Sequence, residues 1–331
     1  MTAEFQVLDL RIPQELAGRR LDSALAHLMP GHSRTRIKAW IDAGQVLVGR
    51  LPCKPRDVVA AGAQVNVRMS VATPEPDVRA EQMPLTLLHE DRDVLVIDKP
   101  AGLVVHPGAG NPRHTLQNAL LGLDPSLAML PRAGIIHRLD KETSGLLVVA
   151  RTLEAHTSLT RQLMARSVAR EYRAVCVGVM TGGGTVNEPI GRHRTDRLRM
   201  AIRPDGRAAV THFRVLERFR AHTDLRVTLE TGRTHQIRLH LSHLRYPIAG
   251  DPVYGGRLAP PKGASEPLLA TLRAFRRQAL HAESLAFEHP RSGKRMTVHS
   301  PLPQDHADLL AALREDVRSN PPDPPRAGRR R

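Results

Sequence analysis

Residues 134–151 read GIIHRLDKETSGLLVVAR, two apolar runs set around a polar turn. Short apolar runs bounded by polar, Gly-bearing turns favour strands, so Asp140 is expected in a loop that presents its side chain to a cleft. Working outward, LTLLHE and DVLVIDKP upstream are strand-like, the chain continues through LVVHP, and HTLQNALLGL has helical spacing. Downstream, a helix is predicted from about Thr152 to Arg166. Alternation resumes in EYRAVCVGVM, HFRVLERF and TDLRVTLETG, separated by turns such as TGGGT and RPDG, and DHADLLAALRED predicts a closing helix. Consecutive strands with a few helices imply an α+β domain built on a largely antiparallel mixed sheet, expected over residues 85–315.

The N-terminal part follows a different pattern. Leu21, Ala24, Leu25 and Leu28 lie at helical spacing, and Pro30-Gly31 stops that helix. Ser33 suits the N-cap of a second helix with Ile37, Trp40 and Ile41 as its buried stripe, and Gly44 suits the left-handed position that ends it. The runs QVLV and AQVNVRM then predict a hairpin that closes a small domain, placed at residues 15–71. Arg34 and Lys38 stand four apart on one face of the second helix, flanked by Arg36, and Lys54 follows it. These four are candidate RNA contacts, although such a face is also what a solvated helix displays. Residues 72–84, ATPEPDVRAEQMP, carry three prolines and no periodicity and are expected to be a linker. The tail 316–331, rich in Pro and Arg, has the composition of a disordered basic segment.

The chain has 331 residues, enough for about two domains, with 49 Lys plus Arg against 33 Asp plus Glu and a formal charge of +16. Most of that excess is arginine, whose planar fork suits phosphate, so a polyanionic partner is implied. Aromatic residues make up 3%, which argues against a base-stacking platform. The two cysteines, Cys53 and Cys176, form no CxxC, which removes thiolate zinc sites and a disulfide framework and favours a reducing compartment. Neither a signal peptide nor an apolar run long enough to span a membrane is legible, so a cytoplasmic protein with no membrane partner is expected. With no coiled-coil seam to read, a monomer is expected.

Arg138 and Lys141 flank Asp140, and neighbouring positive charge favours a carboxylate over the acid. On spacing alone, an Asp beside basic residues is more often a surface ion pair than a catalytic group. A longer resemblance changes that balance. HRLDKETSGLLV is similar to the signature of the RluA-type pseudouridine synthases, and DKPAGLVVHPGAGNP before it and REYRA at 170–174, TGRTHQIRLHLSH at 231–243 and GDPVYGG at 250–256 after it keep that family's order. GRRLDSALA followed by SRTRIKAWIDAGQVLV resembles the S4 RNA-binding domain. Together the likeness spans residues from about 15 to 315.

The resemblance implies an isomerase that converts uridine in RNA to pseudouridine through an essential aspartate, here Asp140. Arg138 would contact the extruded nucleotide or fill the space it leaves. Tyr172 would pack on the target ring, though its alternating strand also permits a core role, and Arg238 would pair with the catalytic carboxylate. The reaction cuts the N1–C1′ bond, turns the uracil and rejoins it through C5, so no cofactor is needed, in agreement with the absence of GxGxxG and GxxxxGK[ST] motifs. Whether Asp140 first bonds to sugar or base, or promotes elimination, stays open. The substrate implied is 23S ribosomal RNA or a large-subunit precursor, at the stem-loop that bridges the subunits, with tRNA as the alternative.

Two other readings compete. His235, His240 and His243 cluster in sequence, but no HExxH pattern or interspersed carboxylate accompanies them, so no metal is expected. A non-catalytic RNA-binding assembly factor would explain the charge, yet it has no need for intact HRLD, Tyr172 and Arg238 motifs. Arg192 and Arg194, in GRHRTDRLRM, are candidate phosphate contacts under either reading, or a solvated turn.

Overall fold

The computed structural model describes residues 5–29, 34–70, 78–108, 110–196, 199–256, 258 and 260–320. They form two compact units, residues 1–79 and 80–331. Among the described residues no helix is long and apolar enough to cross a membrane.

In the first unit, strand β1 (Phe5–Arg11) precedes helices α1 (Leu21–Leu28) and α2 (Arg34–Asp42), followed by β2 (Val46–Val48), β3 (Leu51–Pro52) and β4 (Gln64–Ser70). The sheet order is β1-β4-β2-β3, antiparallel throughout. Leu21, Ala24 and Leu25 from α1 and Ile37, Trp40 and Ile41 from α2 meet Val46, Val65 and Val67 in one core, the stripes expected from their spacing. Gly44 ends α2 at φ 70°, as its sequence position requires. The expected cap Ser33 lies outside the described residues. β1 is not legible in the sequence: among its described side chains Leu8 and Leu10 are partly buried against the core, and part-exposed edge strands have weak patterns. The unit therefore begins before residue 15.

The second unit opens with β5 (Thr86–Glu90) and β6 (Val94–Lys99), then α3 (Leu116–Leu123), β7 (Ser144–Ala150) and α4 (Leu153–Met164). β8 (Ala169–Val177), β9 (Gly184–Asn187), β10 (Ile190–Arg192), β11 (Met200–Ile202), β12 (Val210–Arg218) and β13 (His222–Leu229) follow. α5 (Gln236–His243), α6 (Glu266–Ala274), β14 (Leu280–Glu288), β15 (Arg295–His299) and α7 (Gln304–Ser319) complete it. The main sheet has nine strands in the order β5-β6-β7-β14-β8-β13-β12-β9, with β15 paired to β14, while β10 and β11 form a separate ribbon. Only the β7·β14 pairing is parallel, so the sheet is mixed and largely antiparallel. Burial of β7 along its whole length explains its uninterrupted apolar run. α4 covers one face through Ala155 and Leu159 against Val94, Val148 and Phe287.

Two further boundaries differ from the sequence expectation. Residues 80–84 belong to the second unit rather than to a linker, because Glu81 N donates to Asn118 O and Gln82 Nε2 to Gly122 O, tying the segment to α3. Helix α7 runs on to Ser319, past the expected start of the tail at 316, because Asp316 is buried and pairs with Arg220. The LVVHP run, to which the sequence assigned no element, forms the isolated bridge of Val104 with Thr115.

Gly145 sets the start of β7. Its φ is 108°, and a Cβ there would strike the backbone of Ala282 on the parallel neighbour. Gly145→Ala is expected to destabilise the protein by about 1–3 kcal/mol, through strain and overpacking. A urea midpoint unchanged from wild type would refute this.

Candidate active site

Asp140 lies directly before β7. The first apolar run around it supplies only the isolated bridge Ile135 to Val149, not a strand, and Thr143 N donates to Asp140 O at 3.0 Å to close a turn. Beneath this turn Lys99 is fully buried, its Nζ donating to the carbonyls of Pro100, Leu103 and Lys141. Three acceptors match the three hydrogens of an ammonium. Burial nevertheless pulls the Lys99 pKa down to about 7, against the opposing pull of Glu142 and Asp140. This lysine, within the quoted DKP, ties β6 to the Asp140 loop and was not singled out from sequence.

The opposite wall is built by α5. His235, at φ 58°, turns the chain into the helix, and Gln236 braces the entry by accepting from Thr231 Oγ1 and Arg233 N and donating to Val210 O. One turn on, Arg238 faces Asp140: Nη1 donates to Asp140 Oδ2 at 3.1 Å. Its Nε and Nη2 donate to Asp251 at 2.7 and 2.8 Å, a bidentate fork. Asp251 also accepts from the amides of Val253 and Tyr254. Burial works against its carboxylate, yet Arg238 and these amides outweigh it and hold the Asp251 pKa below its ordinary value. For Arg238 burial again opposes the charge, and Asp251 with Asp140 drives its pKa upward. The side chains of Asp251 and Arg238 are 0% and 5% exposed and that of Asp140 is 15% exposed. The carboxylate of Asp140 is thus the member of the chain Asp251–Arg238–Asp140 that meets solvent, and hence a ligand.

The rings of His235 and Tyr254 stand beside this chain. His235 Nε2 is 4.0 Å from Asp140 Oδ1, and its Nδ1 lies 3.0 Å from the Tyr254 hydroxyl, which accepts from Met200 N. Burial keeps the His235 pKa below its usual value, with Asp140 opposing. Tyr172, in β8, is 6% exposed. Burial raises the pKa of its phenol, with the charge of Arg170 opposing and that of Asp140 reinforcing the shift. Arg138 is exposed, with its charge felt by His106 and His235.

The structure therefore joins Asp140 and Arg238 directly, with Tyr172 buried on β8 and Arg138 exposed two residues before Asp140. Within the second unit, Arg192 and Arg194 are not among the described partners of Asp140 or Arg238. Lys38 and Lys54 are exposed in the first unit, where Lys38 pairs with Asp42, and the side chains of Arg34 and Arg36 lie outside the described residues. Arg192 and Arg194 are exposed at the end of the β10·β11 ribbon. The histidines of the rival metal reading are split: both His240 nitrogens face Thr211 Oγ1 and Glu188 O, while His243 is exposed. Sequence reasoning missed Asp251, although GDPVYGG was a recognised phrase, because nothing local links an aspartate at 251 to an arginine at 238.

A family model described as RNA pseudouridylate synthase matches residues 93–243, and an S4 domain model matches 19–65. A ribosomal large subunit pseudouridine synthase D from Xanthomonas campestris pv. campestris is 56% identical over 305 residues, covering 92% of this chain and 92% of the relative. The chain belongs to the RNA pseudouridylate synthase family. It is an isomerase with an N-terminal S4 domain, as the order of its motifs led us to expect. Another member, the ribosomal large subunit pseudouridine synthase D of Pseudomonas aeruginosa, is 55% identical over 305 residues, covering 92% of this chain and 95% of its own. Among solved structures, human RNA pseudouridylate synthase domain containing 4 aligns with a TM-score of 0.54 at 30% identity, covering 69% of this chain and 93% of that one. Among pseudouridine synthases, then, this chain is similar over nearly its full length to those named for the large ribosomal subunit.

Proposed function

We propose that this pseudouridine synthase modifies uridines of 23S ribosomal RNA, in the stem-loop that bridges the two subunits, with Asp140 as the essential catalytic group. The observation that carries the assignment to Asp140 is its contact with Arg238: a buried cation, fixed from behind by Asp251, aims one N–H at a carboxylate that remains accessible. The RNA substrate is supported by the net charge of +16 and the S4 domain, and the large-subunit target by the names of the relatives.

In this mechanism the target nucleotide leaves its helix and enters the cleft, Arg138 occupying or contacting the vacated position. Tyr172 packs against the uracil. Asp140, oriented through Oδ2 by Arg238, promotes cleavage of N1–C1′, the uracil turns within the pocket, and C5 bonds to C1′ while the C5 proton leaves and N1 gains one. Atoms balance without any redox or donor group. The S4 domain supplies affinity for structured RNA through Arg34, Arg36, Lys38 and Lys54, and Arg192 and Arg194 add phosphate contacts.

Mapping of pseudouridines in total RNA from cells lacking the gene, with and without the wild-type gene restored, tests the target. Loss of discrete 23S sites that the gene restores is the expected result. Loss confined to tRNA would replace the substrate, and an unchanged map would favour a non-catalytic assembly factor. Deleting residues 1–79 is expected to weaken binding to structured RNA about 10-fold or more by removing several phosphate contacts, while a short unpaired substrate is still converted. Arg138→Ala is expected to slow conversion in a stem-loop by about tenfold more than in an unpaired oligonucleotide, since extruding a stacked base costs a few kcal/mol. Equal losses on both substrates would remove Arg138 from base extrusion.

A further inference from the structure

Arg170 is 9% exposed, on β8 two residues before Tyr172 and therefore on the same strand face. Among the described residues its guanidinium has no hydrogen-bond acceptor, carboxylate or ring partner, and its Nε is enclosed without one. Every other arginine named in the catalytic unit's interior is paired: Arg173 with Asp224, Arg238 with Asp251, Arg277 with Asp305. An enclosed, unpaired cation is unfavourable in the free protein and is retained where a ligand completes it.

Its position says which ligand. The Arg170 guanidinium lies against the turn that joins β13 to α5, where a Cβ on Gly232 would sit 2.7 Å from Nη1. Gly232 is exposed, so the lack of a side chain there leaves the guanidinium close to the surface. Its charge is felt by His137, three residues before Asp140, and by Tyr172. Around the same turn Arg233 loses proton affinity through burial and through the charges of Arg207 and Arg166, and the nearby Glu230 is already engaged with Arg166 and His212. Positive charge is in excess here, and the groups on offer are forks that fit phosphate oxygens.

We propose that Arg170 is a substrate-binding residue that receives a backbone phosphate of the RNA at or next to the nucleotide held in the active site. The inference rests on the RNA-modifying reading above and adds to it a specific anchor. Arg170 thereby gains its missing acceptor only when RNA is seated, which coupled to Tyr172 on the same strand would place the sugar-phosphate relative to Asp140. The glycine at 232 is the access port to this site.

The test is binding of a large-subunit stem-loop and of a series of the same RNA, each with one neutral methylphosphonate at successive phosphates around the target uridine. Wild type is expected to lose about tenfold or more in affinity at one of these positions, the loss of a charge-assisted contact. Arg170→Met should bind unmodified RNA about as weakly and be indifferent to that methylphosphonate, while Arg170→Lys keeps part of the sensitivity. With RNA absent, the melting temperature of Arg170→Met should equal or exceed that of wild type, because an apolar side chain of similar length replaces an unpaired buried charge. If Arg170→Met keeps the wild-type sensitivity at every phosphate, the proposal is overturned, whatever its melting temperature. Turnover of the same RNA reports on the isomerase reading separately: coupling in binding with no pseudouridine formed would uphold the phosphate site and sink the proposed reaction.

Discussion

Asp140→Asn is expected to lower pseudouridine formation by at least about a thousandfold, the scale of loss when a residue essential to the chemistry is removed, with little change in stability. Asn keeps the shape and one acceptor oxygen for Arg238 Nη1, now 3.1 Å from Asp140 Oδ2, but cannot supply the negative charge that each route to N1–C1′ cleavage needs. Because C5 exchanges its hydrogen for the sugar, release of tritium from RNA containing 5-tritiated uridine measures the reaction directly. The same preparation should melt within a few degrees of wild type. A variant that retains even a tenth of the wild-type rate would remove Asp140 from the chemistry.

Asp251→Ala should have the largest effect on stability, about 3–5 kcal/mol, the consequence of removing one partner from a buried ion pair. It strips two bonds from Arg238 and the acceptor from the amides of Val253 and Tyr254 at once. Activity should fall in parallel, since Arg238 would be free to swing from Asp140 to find other acceptors. Asp251→Asn, which keeps one acceptor oxygen, should recover part of the stability. Urea unfolding of both variants checks the order, and a loss under about 1 kcal/mol for Asp251→Ala would mean that the pair is solvated rather than buried.

Much of the fold is legible because the relevant signals are local. The stripe of Ile37, Trp40 and Ile41, the left-handed Gly44 and the solid apolar run of β7 each reflect a periodicity or a backbone demand expressed within about ten residues. Asp140, Tyr172 and Arg238 could be nominated through long motif phrases, and the structure brings Arg238 into contact with Asp140. Where the reading failed, the pattern was diluted or the cause was remote. Among the described side chains of β1, Leu8 and Leu10 are only partly buried, residues 80–84 look like linker until Asn118 and Gly122 hold them, and Asp316 looks like tail until it meets Arg220.

By itself, then, the sequence determined the two-part organisation, the class of the catalytic sheet, the polyanionic partner and the loop that carries Asp140, because periodicity, turn chemistry and net charge are properties of contiguous or summed residues. Tertiary structure alone decided what completes the site. Asp251 holds Arg238, Lys99 anchors the Asp140 loop through the Lys141 carbonyl, and Arg170 has no partner among the described residues beside Gly232. Ion pairing and its absence depend on which distant segments the sheet brings within about 3 Å, and only the closed fold sets those distances.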